Sequence, residues 1–160
     1  MKVAGIIQNS VVNGIGVRDV IFVQGCEHHC PGCHNPKTWN INGGEEMSIS
    51  RLDDILRDSP HDITISGGEP LLQYDEVIEL MDYMSYGTNK RFWIYTGFKY
   101  DEIPPHMLEE MSKYVDVLVD GRFEEHNKDL KLQFRGSSNQ RLIDLPKSVE
   151  KGRVILWEEW

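Results

Sequence analysis

The run Asp19-Val20-Ile21-Phe22-Val23-Gln24-Gly25-Cys26 leads straight into Glu27-His28-His29-Cys30-Pro31-Gly32-Cys33-His34-Asn35. Val20, Ile21, Phe22 and Val23 are consecutive β-branched or aromatic residues, the pattern of a strand buried on both faces in a parallel sheet. Gly25 breaks the strand, and the cysteines follow at once. Reactive side chains just beyond the carboxyl end of a buried strand mark βα architectures, in which strand ends build the site.

The same punctuation repeats on either side of this segment. Upstream, residues 3–8 are β-prone and Asn13-Gly14 is a hairpin-type turn signal. Downstream, Met47-Ser48 opens a helix over 49–56 with Leu52, Ile55 and Leu56 on one face. A strand is predicted over 62–66 and an amphipathic helix over 73–84, with Val77, Ile78, Leu80, Met81 and Met84 apolar. Then come a strand over 92–96 ended by Gly97, a short helix over 105–112, and a strand over 114–119 ended by Asp120-Gly121. A last strand is predicted over 153–157. Such alternation implies an α/β fold with a mostly parallel sheet and right-handed crossovers. A closed eight-stranded βα barrel takes about 200–250 residues or more. This chain has 160, so a shorter, open version and a single domain over 1–160 are expected.

Composition is that of a globular protein, 39% hydrophobic and 27% charged. The longest apolar stretches, such as 115–119, are strand-sized, and the first residues lack the regions of a secretion signal. A soluble, cytoplasmic protein is the expectation. A net charge of −9 argues against non-specific nucleic-acid binding, which needs a basic surface.

All three cysteines of the chain fall in the C-x₃-C-x₂-C run. An odd, clustered set is not a disulfide framework. Thiolates are soft ligands for iron–sulfur clusters or zinc. A structural zinc site wants four ligands, so zinc would need His28, His29 or His34 as well. Cys30-Pro31-Gly32-Cys33 also has the spacing of a redox pair, a reading that leaves Cys26 without a role. In a cubane cluster held by three thiolates, one iron has no protein thiolate and stays open to a ligand.

C-x₃-C-x₂-C after a strand resembles the signature of the radical S-adenosylmethionine superfamily. The resemblance implies a [4Fe-4S] cluster on Cys26, Cys30 and Cys33, with the fourth iron chelated by S-adenosylmethionine. Many members carry an aromatic residue before the last cysteine; here it is Gly32. Ser66-Gly67-Gly68-Glu69-Pro70 follows the predicted 62–66 strand. As a turn, its glycines permit positive φ and its proline starts a helix. It also resembles the superfamily's Gly-Gly-Glu motif, which binds the cofactor's methionyl ammonium and implies contacts from Gly67, Gly68, Glu69 and Pro70. By the same resemblance the fold is a short, partial βα barrel.

The likeness narrows to the glycyl-radical activases of anaerobic ribonucleotide reductase. It rests on residues 13–26, Cys33-His34-Asn35-Pro36-Lys37-Thr38-Trp39, Tyr95-Thr96-Gly97-Phe98, 117–123 and 134–141. It implies that an electron from a flavodoxin- or ferredoxin-like donor cleaves S-adenosylmethionine to methionine and a 5′-deoxyadenosyl radical. That radical takes hydrogen from a glycine of the reductase large subunit. Thr96 and Asp120 are expected on the cofactor side, and Arg135–Arg141 as a loop for cofactor or partner. His28 and His29 are expected as exposed loop residues that tune the cluster without ligating it. A radical enzyme acting on a small molecule, such as a deazapurine synthase, and a non-catalytic zinc module are the alternatives.

Overall fold

The β-prone runs form β1 (Lys2–Ser10), β2 (Arg18–Val23), β3 (Glu45–Glu46), β4 (Asp62–Gly67), β5 (Phe92–Tyr95), β6 (Val115–Asp120) and β7 (Arg141–Asp144). The helices are α1 (Ile49–Leu56), α2 (Tyr74–Ser85), α3 (Pro105–Met111) and α4 (Leu145–Lys151). This computed structural model describes residues 1–158. The strands make one open sheet in the order β3-β1-β2-β4-β5-β6-β7. Strands β2, β4, β5 and β6 are parallel neighbours. β1 and β7 run against them as antiparallel partners of β2 and β6, and β3 pairs antiparallel with β1. The fold is therefore mixed α/β, parallel at its centre and antiparallel toward its edges. The connections set these directions: the short 11–17 loop with Asn13-Gly14 can only reverse the chain, and 121–140 contains no crossover α-helix.

Side chains alternate across the strands with period two. On β5, Phe92 and Ile94 join the main core, whereas Trp93 and Tyr95 face the other way. The main core lies between sheet and helices: Ile21, Ile63, Ile65 and Leu118 pack on Leu52 and Leu56 of α1 and Leu80, Met81 and Met84 of α2. The opposite face carries a smaller cluster of Trp93, Val117, Val119, Leu142 and Trp157, with Tyr95 and Phe134 against it. Ser48 accepts from the Arg51 amide to cap α1, and Asp144 caps α4, which ends at left-handed Gly152.

Two expectations are corrected. Ile55 is 40% exposed, because α1 buries only one narrow stripe, with Leu52, Leu56 and Asp53 inward. Residues 153–157 are not a strand. Among the described residues their ladder contact is one bridge, Ile143 to Leu156, flanked by Asp144 N–H to Ile155 O and Trp157 N–H to Leu142 O. The last strand is β7, and α4 follows it. Leu142-Ile143 is too short an apolar run to announce a strand, and Pro146 masks the helix until it is seen at the first turn. Among the described residues no helix is long and apolar enough to cross a membrane.

Candidate metal centre and cofactor site

The cysteine loop starts where β2 stops. Gly25 turns with φ 109°, and the loop closes on itself through Gly25 N–H to Thr38 O (2.6 Å) and Cys26 N–H to Trp39 O (3.2 Å). The Gln24 amide ties down its far end by donating to Lys37 O and Asn40 O. Cys33 N–H donates to Cys30 O, with Gly32 left-handed between them at φ 75°. Cys26, Cys30 and Cys33 are free thiols, each partly exposed.

Each sulfur is met by backbone N–H groups. Burial pushes the Cys26 thiol up, opposed by the amides of His28 and His29. Burial also pushes Cys30 up, opposed by the amide of Phe123 from the segment that follows β6. Asn35 N–H reaches Cys33 Sγ at 3.4 Å. Amides aimed at sulfur favour the thiolate, the form that binds metal. The indole N–H of Trp39, beside this loop, is buried without a partner, so an acceptor brought by a bound group would satisfy it. Three thiols supplied with N–H donors, with no fourth cysteine in the chain, fit a three-thiolate cluster with an open iron. Among the described residues no three His, Cys, Asp or Glu side chains gather tightly enough to hold a single metal ion. His28, His29 and His34 each lie against an aromatic ring, of Phe98, Trp39 and Phe123 respectively.

Gly67-Gly68-Glu69 is fastened to this loop. Gly68 N–H donates to Val23 O (2.9 Å) and Glu69 N–H to Gly25 O (2.7 Å). A Cβ on Gly67 would stand 2.4 Å from Val23 N, and one on Gly68 2.3 Å from Gly25 O. Backbone packing alone thus demands glycine at both positions. Pro70 begins the 3₁₀ turn Pro70–Gln73 that leads into α2.

The Glu69 carboxylate is 1% exposed and lies at the junction of three strand ends. Oε1 accepts from His28 Nε2 (2.6 Å) and Gly97 N–H (2.7 Å), and Oε2 from Leu71 N–H (3.0 Å). The Thr96 hydroxyl approaches both oxygens, at 3.0 and 2.8 Å. Thr96 thus stands beside Glu69. His28 departs from expectation: its side chain is only 8% exposed, because the ring folds inward onto Glu69 and the face of Gly97. The glycine at 97, next to Thr96, was the one sequence signal for that close approach.

Asp120 stands at the end of β6, 1% exposed. It accepts from Arg141 Nε (3.0 Å), Arg141 Nη2 (2.6 Å) and Tyr100 N–H (2.8 Å). Arg141 is thus a β7 residue paired with Asp120. The 121–140 segment lies over the cysteine loop: Phe123 contacts His34, and Glu125 packs on Gly32, where a Cβ would meet its side chain at 3.0 Å. Its own frame is side-chain amide bonding, Gln140 accepting from the Gly136 and Ser137 amides and Asn139 donating to Arg122 O. Arg135 lies in this frame with a buried, unpartnered Nε. Phe134, left-handed at φ 63°, turns onto Trp93 at 5.5 Å between ring centroids, and its carbonyl accepts from the Tyr95 hydroxyl at 2.5 Å. The Phe123 amide and the Tyr95–Phe134 contact have no signal in the sequence.

A family model described as a 4Fe-4S single cluster domain matches residues 12–143. Curated relatives named anaerobic ribonucleoside-triphosphate reductase-activating protein include that of Escherichia coli K12, 37% identical over 139 residues, which are 81% of this chain and 90% of the relative. That of enterobacteria phage T4 is 37% identical over 138 residues, 82% of this chain and 86% of the relative. That of Haemophilus influenzae is 36% identical over 140 residues, 81% and 89% respectively. With relatives this similar over most of both lengths, and with three thiols at one strand end on which the Gly-Gly-Glu turn is docked, the chain belongs to the family of anaerobic ribonucleoside-triphosphate reductase-activating proteins, and carries that family's 4Fe-4S cluster domain.

Proposed function

We propose that this chain is a radical S-adenosylmethionine activase, one domain over 1–160 with a partial βα barrel, which installs a glycyl radical on the large subunit of an anaerobic ribonucleotide reductase. The observation that carries the reading is the docking of Glu69 N–H on Gly25 O, 2.7 Å, one residue before Cys26. It brings the thiols and the Gly-Gly-Glu turn to one place. When bound, the cofactors supply one electron to the sulfonium, homolysis of its bond to C5′, and transfer of a hydrogen atom from the partner's glycine Cα to that carbon.

Cys26, Cys30 and Cys33 hold three irons as thiolates, steadied by the amides of His28, His29, Phe123 and Asn35. Gly67 and Gly68 let the backbone come close to the methionyl end, with Pro70 starting the turn behind them, and Glu69 offers its carboxylate to the ammonium. Thr96 keeps that carboxylate in place. Asp120 acts at one remove, holding Arg141 and the Tyr100 amide at the end of β6. The edge strands β3 and β7 do not pair with each other, which leaves a side through which a protein-borne glycine can enter. A flavodoxin- or ferredoxin-like protein supplies the electron, in the cytoplasm.

The test is anaerobic reconstitution followed by addition of S-adenosylmethionine and a reductant. Four irons and four sulfides per chain, release of 5′-deoxyadenosine, and a glycyl-radical resonance on mixing with the reductase are expected. One equivalent of zinc without iron would overturn the proposal. 5′-Deoxyadenosine without a glycyl radical would move it to a small-molecule radical enzyme.

A further inference from the structure

The Glu69 carboxylate has no acceptor position left for a ligand. Leu71 N–H belongs to the 3₁₀ turn and Gly97 N–H to the chain leaving β5, so both are fixed by backbone. The Thr96 hydroxyl is buried and also accepts from Phe98 N–H at 3.1 Å. His28 is different. It lies in the irregular loop between Cys26 and Cys30, and it reaches Glu69 only through its side chain. Because Glu69 is an acceptor toward every other partner, His28 Nε2 carries the proton of their 2.6 Å bond. The ring has a prepared seat: it packs edge-to-face with Phe98, ring centroids 4.7 Å apart, and a Cβ added at Gly97 would stand 2.5 Å from its Cδ2 and 2.6 Å from its Nε2.

We infer that His28 is a placeholder for the amino-acid ammonium of the cofactor: it holds Glu69 Oε1 in the resting protein and leaves when the ammonium arrives. This rests on the proposed function, since Glu69 is there the ammonium acceptor. An N–H group on a desolvated carboxylate oxygen is the contact an ammonium makes, so one replaces the other without leaving the carboxylate unpaired. The resting contact scales apparent affinity down to the fraction of molecules in which Glu69 is free. Since His28 sits between two cluster ligands, its departure carries the arrival of cofactor into the cysteine loop. His28 is a positioning residue and touches no reacting atom.

The experiment uses reconstituted holoprotein, without air and without reductant, so that nothing turns over. Calorimetric titration with S-adenosylmethionine should show His28→Ala binding roughly tenfold tighter than wild type, the factor of one charge-assisted hydrogen bond. Gly97→Ala, which pushes the ring off its seat, should move affinity in the same direction. An analogue lacking the amino group should bind wild type and both variants alike. On the wild-type protein, diethyl pyrocarbonate with peptide mapping should find His28 protected alone and reactive with S-adenosylmethionine bound. Equal or weaker binding by His28→Ala, or His28 still protected in the complex, overturns the inference. If wild-type holoprotein binds no S-adenosylmethionine, the proposed function itself fails, which is a separate result.

Discussion

Replacing Gly68 by alanine tests the joint between the two halves of the site. The new Cβ would stand 2.3 Å from Gly25 O and 2.8 Å from Gly25 C. Both are backbone atoms of the residue before Cys26, so no side chain can rotate away and the turn itself must move by about 1 Å. That movement strains two hydrogen bonds, Glu69 N–H to Gly25 O and Gly68 N–H to Val23 O. Overpacking costs about 1–3 kcal/mol and each bond about 0.5–1.5 kcal/mol, roughly 2–6 kcal/mol together. For a domain of this size each kcal/mol moves the melting temperature about 2–4 °C, so a fall on the order of 10 °C is expected. Circular dichroism of the iron-free protein in a reducing buffer reads it. Gly5→Ala is the control, because nothing lies within 4 Å of a Cβ there. Anaerobic reconstitution of the same samples should give less iron per chain for Gly68→Ala than for the control. If Gly68→Ala melts within about 2 °C of wild type and takes up iron fully, the two loops are not joined as described.

Other outcomes follow from the same geometry. Changing Cys26, Cys30 and Cys33 together to alanine should abolish iron uptake yet leave the far-ultraviolet spectrum and cooperative melting intact, because no cysteine belongs to the main core; an unfolded product would point to a metal-stapled module. Asp120→Asn should cost about 1–3 kcal/mol in urea titration, below the roughly 3–5 kcal/mol of a fully buried broken pair because Arg141 keeps partial access to solvent. Tyr95 predicts a pH effect. Burial pushes its phenol well above the ordinary value of 10.0, so the unfolded chain loses that proton first. Its stabilisation is whole below pH 10 and is lost as the pH climbs from there toward the folded-state value. Tyr95→Phe should therefore flatten the decline of unfolding free energy above about pH 10 by up to ~1.4 kcal/mol per pH unit; an unchanged slope would count against this burial.

The local content of the chain was legible because it depends on neighbours in sequence. The 19–24 strand stands within one residue of β2, and the helix predicted over 49–56 is α1, since an apolar run and an N-capping serine act over a few residues. Ile55, β7 and α4 were not legible. Which stripe of a short helix is covered, and whether a two-residue apolar run joins a sheet, depend on neighbours far along the chain.

Three thiols after one buried strand and a Gly-Gly-Glu turn after another are readable from the chain as written, since both are matters of order and spacing. Which partners those groups meet is a product of folding. It put Glu69 among His28, Thr96 and Gly97, brought the Phe123 amide to Cys30, and paired Asp120 with Arg141. A buried carboxylate or thiolate must find donors, and in a parallel sheet those donors come from neighbouring strand ends that lie tens of residues away along the chain.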